Sequence, residues 1–344
     1  MRVVLADPPA FTPPYDHELA AALARAGADV TLVTSPFRFG DAPAADGYRR
    51  RELFYPLSSR LFGRSRLRVP LKIAEHPFGL ARLRGTPADV LHVQWLVPEL
   101  DVRLLRPSVP SVFTAHDLLP RRTASKLELW RRLLTRFDRV VVHSERGRET
   151  LAPLGIDARV IPHPVFRSDP PRSDDGRTVL ALGVIRPYKG LGDAVDATLA
   201  LADARLLVAG DPAEPLDGYR VHAGDRAEWR LGYLPEAELD RALGEATVAL
   251  FPYRAELDQS GALLRALGAG VPAVVYDVGG LGETVRAFEA GRVVPAGDLD
   301  AFTAAVQELL ADPTAARAGA DRARRELTWD AAAAQHLDLY RELA

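Results

Sequence analysis

RVVLADPPAFTPPYDHELAAALARAGADVTLV, residues 2–33, sets the grammar of the chain. RVVLA at 2–6 is a short, β-rich apolar run ended by prolines, the pattern of a strand buried in a parallel sheet. Leu19, Leu23 and the alanines around them recur at helical spacing, Gly27 caps that helix, and VTLV at 30–33 is the next strand. This is a βαβ unit. The alternation continues through VLHV at 90–93, SVFTAH at 111–116, RVVVHS at 139–144 and RVIPHPV at 159–165. FRSDPPRSDDG at 166–176, without apolar periodicity, reads as a linker. TVLALGVI (178–185), ARLLVAG (204–210), WRLGY (229–233), TVALFPY (247–253) and PAVVYDVGG (272–280) then restart the pattern, with helical stretches between most of them. Such alternation predicts an α/β fold of two doubly wound, Rossmann-like parallel-sheet domains, 1–166 and 167–328. The length of 344 residues agrees, because a single core rarely grows beyond about 250–300. Ligands of these sheets bind beyond the carboxyl ends of the strands, so the cleft between two domains is the expected site.

Composition narrows the function. Apolar, charged and aromatic fractions of 47%, 26% and 7% exclude a disordered, collagen-like or membrane-spanning chain. Met1 leads straight into strand-like sequence without a leader pattern, and the expected compartment is the cytoplasm. Zero cysteines exclude a disulfide scaffold, thiolate zinc, iron–sulfur clusters and a cysteine nucleophile. The net charge of −2 hides an asymmetry: residues 1–165 carry 25 Lys/Arg against 17 Asp/Glu, and residues 166–344 carry 19 against 29. Arg49, Arg50, Arg51, Arg60, Arg64, Arg66, Arg68 and Lys72 stand against Glu52 alone, interleaved with Phe54, Leu57, Leu61, Phe62 and Leu67. The stretch 49–72 is a candidate for peripheral contact with an anionic membrane or for receiving a phosphorylated acceptor; the competing reading is a solvated arginine-rich loop. No motif supports nucleic-acid binding.

Two stretches carry chemistry. In GVIRPYKG (183–190) a strand runs out through Gly183, a cationic pair Arg186/Lys189 follows, and Gly190 opens a helix. A planar guanidinium fork and a compact ammonium suit a diphosphate, although a surface pair in a turn would look the same. In FPYRAELDQSGALLRALGAGVPAVVYDVGGLGE (251–283) a strand ends in an acidic loop with Glu256 and Asp258, and Gln259, Ser260 and Gly261 lead into a helix. The free amides at such a helix start attract anions. Gly279-Gly280-x-Gly282 reads as a turn, since it is not the dinucleotide fingerprint. Asp298-x-Asp300 reads as a helix cap in preference to a metal site.

These two stretches, in this order, resemble the donor-nucleotide domain of retaining glycosyltransferases of family 4 (glycosyl transferases group 1), which have the GT-B fold. VIPHPVF, VAGD, RLGYLPEAELDRAL, GRVVPAGDLDAF and the closing TWDAAAAQHLDLYREL fit the same family, as do FTAHDLLP at 113–120 and VVHSE at 141–145. The resemblance implies two Rossmann-like domains facing a cleft and a C-terminal helix, 329–344, that crosses back to the first. It implies transfer of a sugar from a nucleotide-diphosphate donor, UDP- or GDP-linked, with retention and without metal or other cofactor. It assigns Gly183, Arg186, Lys189, Glu256, Asp258, Gln259, Ser260, Gly261, Arg265 and Leu234 to the donor, and His116 to the donor sugar. A structural histidine is the competing reading of His116. The acceptor, a small molecule, glycan or lipid-linked group, falls to the first domain, where Tyr15, Asp16, Gln94 and Trp95 are candidates. Asp16 also reads as a helix N-cap and Trp95 as a core residue; His143 and His163 read as structural.

The sequence departs from the family at three points. Val184 stands where the family has arginine, and Arg186, on the same face if the strand continues, can substitute. The family's two glutamates fall on Leu257 and Arg265; the second has no acceptor for a ribose hydroxyl, so Arg265 is expected to reach the diphosphate instead. The glycine-rich first loop is replaced by the proline-stiffened DPPAFTPPYDH, which leaves Tyr15, Asp16 and His17 to shape the acceptor side. The alternatives to a transferase are a non-catalytic GT-B homologue that binds a nucleotide or partner protein, and a GT-B sugar-nucleotide epimerase.

Overall fold

The first sheet is built from β1 (Arg2–Asp7), β2 (Asp29–Thr34), β3 (Arg49–Glu52), β4 (Val90–Val93), β5 (Ser111–Thr114), β6 (Arg139–Val142) and β7 (Ala158–Val160). The strands are parallel and run in the order β3-β2-β1-β4-β5-β6-β7. The order reverses between β1 and β4, so the loops leaving their carboxyl ends diverge and open a crevice. The computed structural model describes residues 1–343 apart from 39, 41, 64, 119–124, 255 and 256. Val3, Val4 and Leu5 are fully buried between flanking strands and helices. Each such side chain contributes roughly 1.5–3 kcal/mol of transfer free energy. Helices α1 (Pro13–Arg25), α2 (Arg68–Arg84), α3 (Pro98–Leu104), α4 (Leu127–Leu134) and α5 (Glu145–Leu151) connect the strands.

The second sheet contains β8 (Thr178–Leu182), β9 (Arg205–Gly210), β10 (Ala227–Leu231), β11 (Val248–Phe251), β12 (Ala273–Tyr276) and β13 (Gly291–Val294), in the order β10-β9-β8-β11-β12-β13. Its reversal lies between β8 and β11, which pair parallel through Val248–Val179 and Ala249–Leu180. The helices are α6 (Leu191–Ala200), α7 (Asp217–Ala223), α8 (Glu236–Glu245), α9 (Gly261–Gly268), α10 (Gly279–Phe288), α11 (Leu299–Ala311) and α12 (Thr314–Glu326). The last helix, α13 (Trp329–Leu343), packs on α1. The chain accordingly divides into two units, 1–162 with 329–344, and 163–328.

Two local readings are corrected. The stretch from Arg49 is not a loop: Arg49–Glu52 forms the edge strand β3, and Arg68 opens α2. All four β3 residues are exposed, and Arg49 pairs with Asp29 of β2, so charge occupies an edge that would otherwise invite another strand. No apolar alternation marked it. Asp16 is not an N-cap, because Pro13 and Pro14 occupy the first helical positions of α1 and place the cap at Thr12. The linker is tied to the second unit by backbone hydrogen bonds and close contacts. Ser168 N–H donates to Gly268 O and Ser173 N–H to Gly244 O, and a Cβ on Gly268 or Gly244 would lie 2.0 and 2.4 Å from the carbonyls of Phe166 and Pro171. Asp298 does cap α11, accepting from Ala301 N–H.

The first unit buries neutral imidazoles. His92 is bonded to Tyr340 Oη (2.6 Å) and Thr114 Oγ1 (2.7 Å), with the His336 ring 5.3 Å away. Burial pushes His143 and His336 down to about 4, and holds His92 well below the usual histidine range. Below about pH 6.5 the unfolded chain binds protons that these folded rings refuse, so stability falls as pH drops from there toward 4. The contribution is on the order of 3 kcal/mol per ring. The carboxyls of Asp7 and Asp16, raised by burial, act in the opposite sense. The Tm of the native chain is therefore expected to fall more steeply between pH 6.5 and 4 than that of His336→Phe; parallel Tm profiles would contradict this account.

Candidate active site

At the reversal of the second sheet the two loops identified in the sequence meet. Gly183 ends β8 with φ +96°, and a Cβ there would lie 3.2 Å from Lys189 Nζ and 3.3 Å from Ala262 Cβ. The Lys189 ammonium also sits 5.1 Å from the centroid of the Tyr253 ring, beyond the end of β11. Gly190, φ +68°, lets the turn approach β11 so closely that its Cβ would meet Pro252 O at 2.0 Å. Ile185 is buried between the exposed Val184 and Arg186, so those two side chains share the outer face of the turn.

Ser260 caps α9: its Oγ accepts from Leu263 N–H at 3.3 Å and lies 3.3 Å from Tyr253 Oη. Among the described residues the amides of Gly261 and Ala262 have no acceptor, and they open next to Lys189 and Gly183. An ammonium and the positive end of a helix therefore share one small volume. Gln259 is a strut. Its Nε2 donates to Thr284 Oγ1 (2.8 Å), and its Oε1 accepts from Ser260 N–H (2.9 Å). Asp258 is fully buried, and its carbonyl accepts from Gly280 N–H at 3.0 Å. Glu256 lies outside the described residues.

Arg265 does not reach toward Lys189. Its Nη1 and Nη2 donate to the two carboxylate oxygens of Glu236 at 2.5 and 3.2 Å, and its guanidinium lies 5.1 Å from the Phe166 ring centroid. In this structure the donor fork is engaged by a carboxylate. Glu236 stands at the start of α8, exposed beside Tyr233, whose phenol is raised by burial and then by Glu236. Leu234 packs against the core of this unit.

Four of the first-unit candidates come together at the other reversal. His116 lies 2.8 Å through Nε2 from Gln94 Oε1, its ring is T-shaped to Tyr15 at 4.5 Å and stacked on Trp95 at 5.5 Å. Trp95 Nε1 donates to Thr12 Oγ1 at 2.8 Å. His143 donates through Nδ1 to Ile161 O, which leaves its Nε2 as an acceptor 3.4 Å from His116 Nδ1. Among the described residues Gln94 Nε2 is buried without a partner. Asp16 is buried against Asp7, and desolvation and then the charge of Asp7 hold it well above the usual carboxylate range. Asp7 Oδ2 accepts from Phe11 N–H (2.7 Å) and Thr12 N–H (3.1 Å), closing the proline loop. Asp16, His17, Thr34, Tyr48 and Arg50 line a depression beside that loop.

Sequence reasoning missed Asp193. From the first turn of α6 it accepts from Arg254 Nε (3.2 Å) and Tyr276 Oη (2.9 Å), tying the end of β11 to α6. Glu236 and Phe166 were missed as partners of Arg265. Their only trace in the sequence is an exposed acid at a helix start and an aromatic opening the linker.

The acidic loop rests on backbone. Gly279 has φ +52°, and a Cβ there would lie 1.7 Å from Leu257 O. Gly279→Ala is expected to destabilise the chain by about 3 kcal/mol or more in urea denaturation. Gly218→Ala, in α7 with open space around it, serves as the control and is expected to stabilise by up to about 1 kcal/mol.

The family model for glycosyltransferase family 4 matches residues 15–167, and the model for glycosyl transferases group 1 matches residues 176–312. A phosphatidyl-myo-inositol mannosyltransferase of Mycobacterium leprae is 30% identical over 283 residues, covering 74% of each chain. A glycogen synthase of Mycobacterium tuberculosis is 34% identical over 183 residues, and the match spans only 43% of that protein's length. Among solved structures, sucrose-phosphate synthase of Thermosynechococcus elongatus superposes with a TM-score of 0.79 at 23% identity, covering 100% of this chain and 99% of that one. HepE of Anabaena, solved with UDP and glucose, gives 0.70 at 15% identity with full coverage of both chains. With each half of the chain matched by its own family model and both doubly wound sheets in place, this protein belongs to the group 1, family 4 glycosyltransferases and has the GT-B fold.

Proposed function

We propose that this glycosyltransferase moves a sugar from a nucleotide-diphosphate donor, bound by the second unit, to an acceptor bound by the first, with retention at the anomeric carbon and without a metal. The convergence of Lys189, Gly183 and the amino end of α9 carries the reading. As the glycosidic bond breaks, negative charge develops on the departing diphosphate. Positive groups already in place lower the barrier without reorganising. Gly183 supplies the room, Lys189 and the Gly261 and Ala262 amides supply the charge, and Arg186 adds an exposed guanidinium at the rim. HepE, with the same fold, was solved with UDP-glucose bound, which supports a nucleotide-sugar donor.

In this reading Arg265 works through Glu236. The carboxylate it anchors is an acceptor-only group suited to a vicinal diol of the nucleoside, so the basic residue at that position does not abolish donor binding. His116, held between Gln94, Trp95 and Tyr15, is the polar group assigned to the transferred sugar.

The test is release of UDP or GDP from UDP-glucose and GDP-mannose. Lys189→Ala is expected to lower the rate by roughly 10²–10³-fold, with Arg186→Ala a smaller loss and EDTA without effect. Glu236→Gln is expected to raise the donor KM about tenfold at nearly unchanged kcat. Binding of UDP and GDP no weaker in Lys189→Ala than in the native chain would reject the donor site; binding without release from any donor would favour a non-catalytic homologue.

A further inference from the structure

Three cations in the first unit gather without an acid to pair with. Arg38 follows β2, and Arg68 and Lys72 lie one turn apart at the start of α2. The Arg38 and Arg68 guanidiniums lie on one ring, 4.3 and 4.5 Å from the centroid of Phe62. The Lys72 ammonium sits 4.5 Å from the centroid of Tyr55. Among the described residues none of the three forms a salt bridge, whereas Arg49, Arg50 and Arg82 nearby each find a carboxylate or a carbonyl. Glu75, the acid within the same turn of α2, is spent on the amides of Leu57 and Ser58. All three cations are half-buried, so solvent screens their mutual repulsion only in part.

Burial and mutual repulsion act on the same groups. Lys72 is pushed down to about 8, by burial first and then by Arg38 and Arg68, and Arg38 is lowered by burial and Arg68. The carboxylate acting on Lys72 is Asp7, at the carboxyl end of β1, and it is already committed to its own loop. The cluster thus stands at the strand ends where a doubly wound sheet takes its ligand, next to Phe37, which lines the depression described above. A fold keeps like charges together at a cost in stability where a ligand of opposite charge completes the set.

We infer that Arg38, Arg68 and Lys72 form a binding site for a phosphate ester carried by the acceptor. A phosphomonoester or phosphodiester matches the arrangement: two guanidiniums offer planar forks, the ammonium a third donor, and the Phe62 and Tyr55 rings fix all three side chains in place. The ester can sit on a small polyol or on a lipid headgroup, and Val69 and Ile73, exposed one turn apart on α2, make the second source worth a separate arm. The inference rests on the reading of the first unit as the acceptor side.

The experiment measures binding of glycerol 3-phosphate to the full chain by calorimetry, with glycerol as the uncharged control. In parallel, sedimentation follows binding to vesicles of phosphatidylcholine with and without phosphatidylglycerol. Arg68→Ala and Lys72→Ala are each expected to weaken the phosphate-dependent signal at least tenfold, and Lys72→Arg to retain it within about threefold. Both alanine variants are expected to keep or raise the ligand-free Tm, since they relieve repulsion, and to lose the Tm rise that phosphate produces in the native chain. Binding of glycerol 3-phosphate assigns a soluble ester; binding of phosphatidylglycerol vesicles alone, lost in the same variants, assigns a lipid-borne one. If neither probe distinguishes the variants from the native chain, the site does not exist, whatever the donor assay shows. UDP affinity, measured on the native chain and every variant, keeps the two questions apart: a native chain that binds UDP but neither phosphate probe overturns this inference alone, and phosphate binding without any nucleotide binding overturns the function and leaves the site.

Discussion

Parallel pairing of β8 with β11 places the ends of two strands side by side although about seventy residues separate them, and the turns that leave those ends must then share one narrow space. The close approach of these two backbones governs everything built there. Gly190 touches Pro252 O where any side chain would collide, and Gly279 does the same beneath Leu257. Gly183 then leaves a gap that the Lys189 ammonium fills against Tyr253. A charged group is held in position by the absence of side chains as much as by their presence. The helix dipole of α9 adds to that positive volume because Ser260 caps the Leu263 amide and leaves the first two amides open.

The first unit solves the same geometric problem differently. Four prolines stiffen the loop after β1, and its amides converge on the buried carboxylate of Asp7. Burial and then the charge of Asp7 hold the Asp16 carboxyl beside it well above the usual carboxylate range. The loop is thereby closed from within, and Tyr15, Gln94, Trp95 and His116 are carried into mutual contact around it. The excess of positive charge in this half is not spread evenly. Part of it blunts the edge strand β3, and part is concentrated on Phe62 and Tyr55.

Much of this was legible in the sequence. Apolar runs closed by glycine or proline located most of the strands of both sheets, since a strand buried on both faces has a distinctive composition. Weakly buried edge strands such as β3 and β13 were invisible for the converse reason. GVIRPYKG and DQSGALL marked the positive volume beside Lys189, because a glycine at a strand end and a serine at a helix start have local causes.

What the sequence determined alone is therefore whatever depends on a residue's own backbone and its near neighbours: the order of strands and helices, the caps, the positions where only glycine fits. The tertiary structure decided the pairings. Arg265 turns to Glu236, twenty-nine positions away, Asp16 is buried against Asp7, and Arg38 is brought to Arg68 and Lys72. Periodicity reports that a side chain faces a core or a surface, but not which charged group from another element will meet it there. That choice follows from packing, and through it from the reversal of strand order that brings distant loops together.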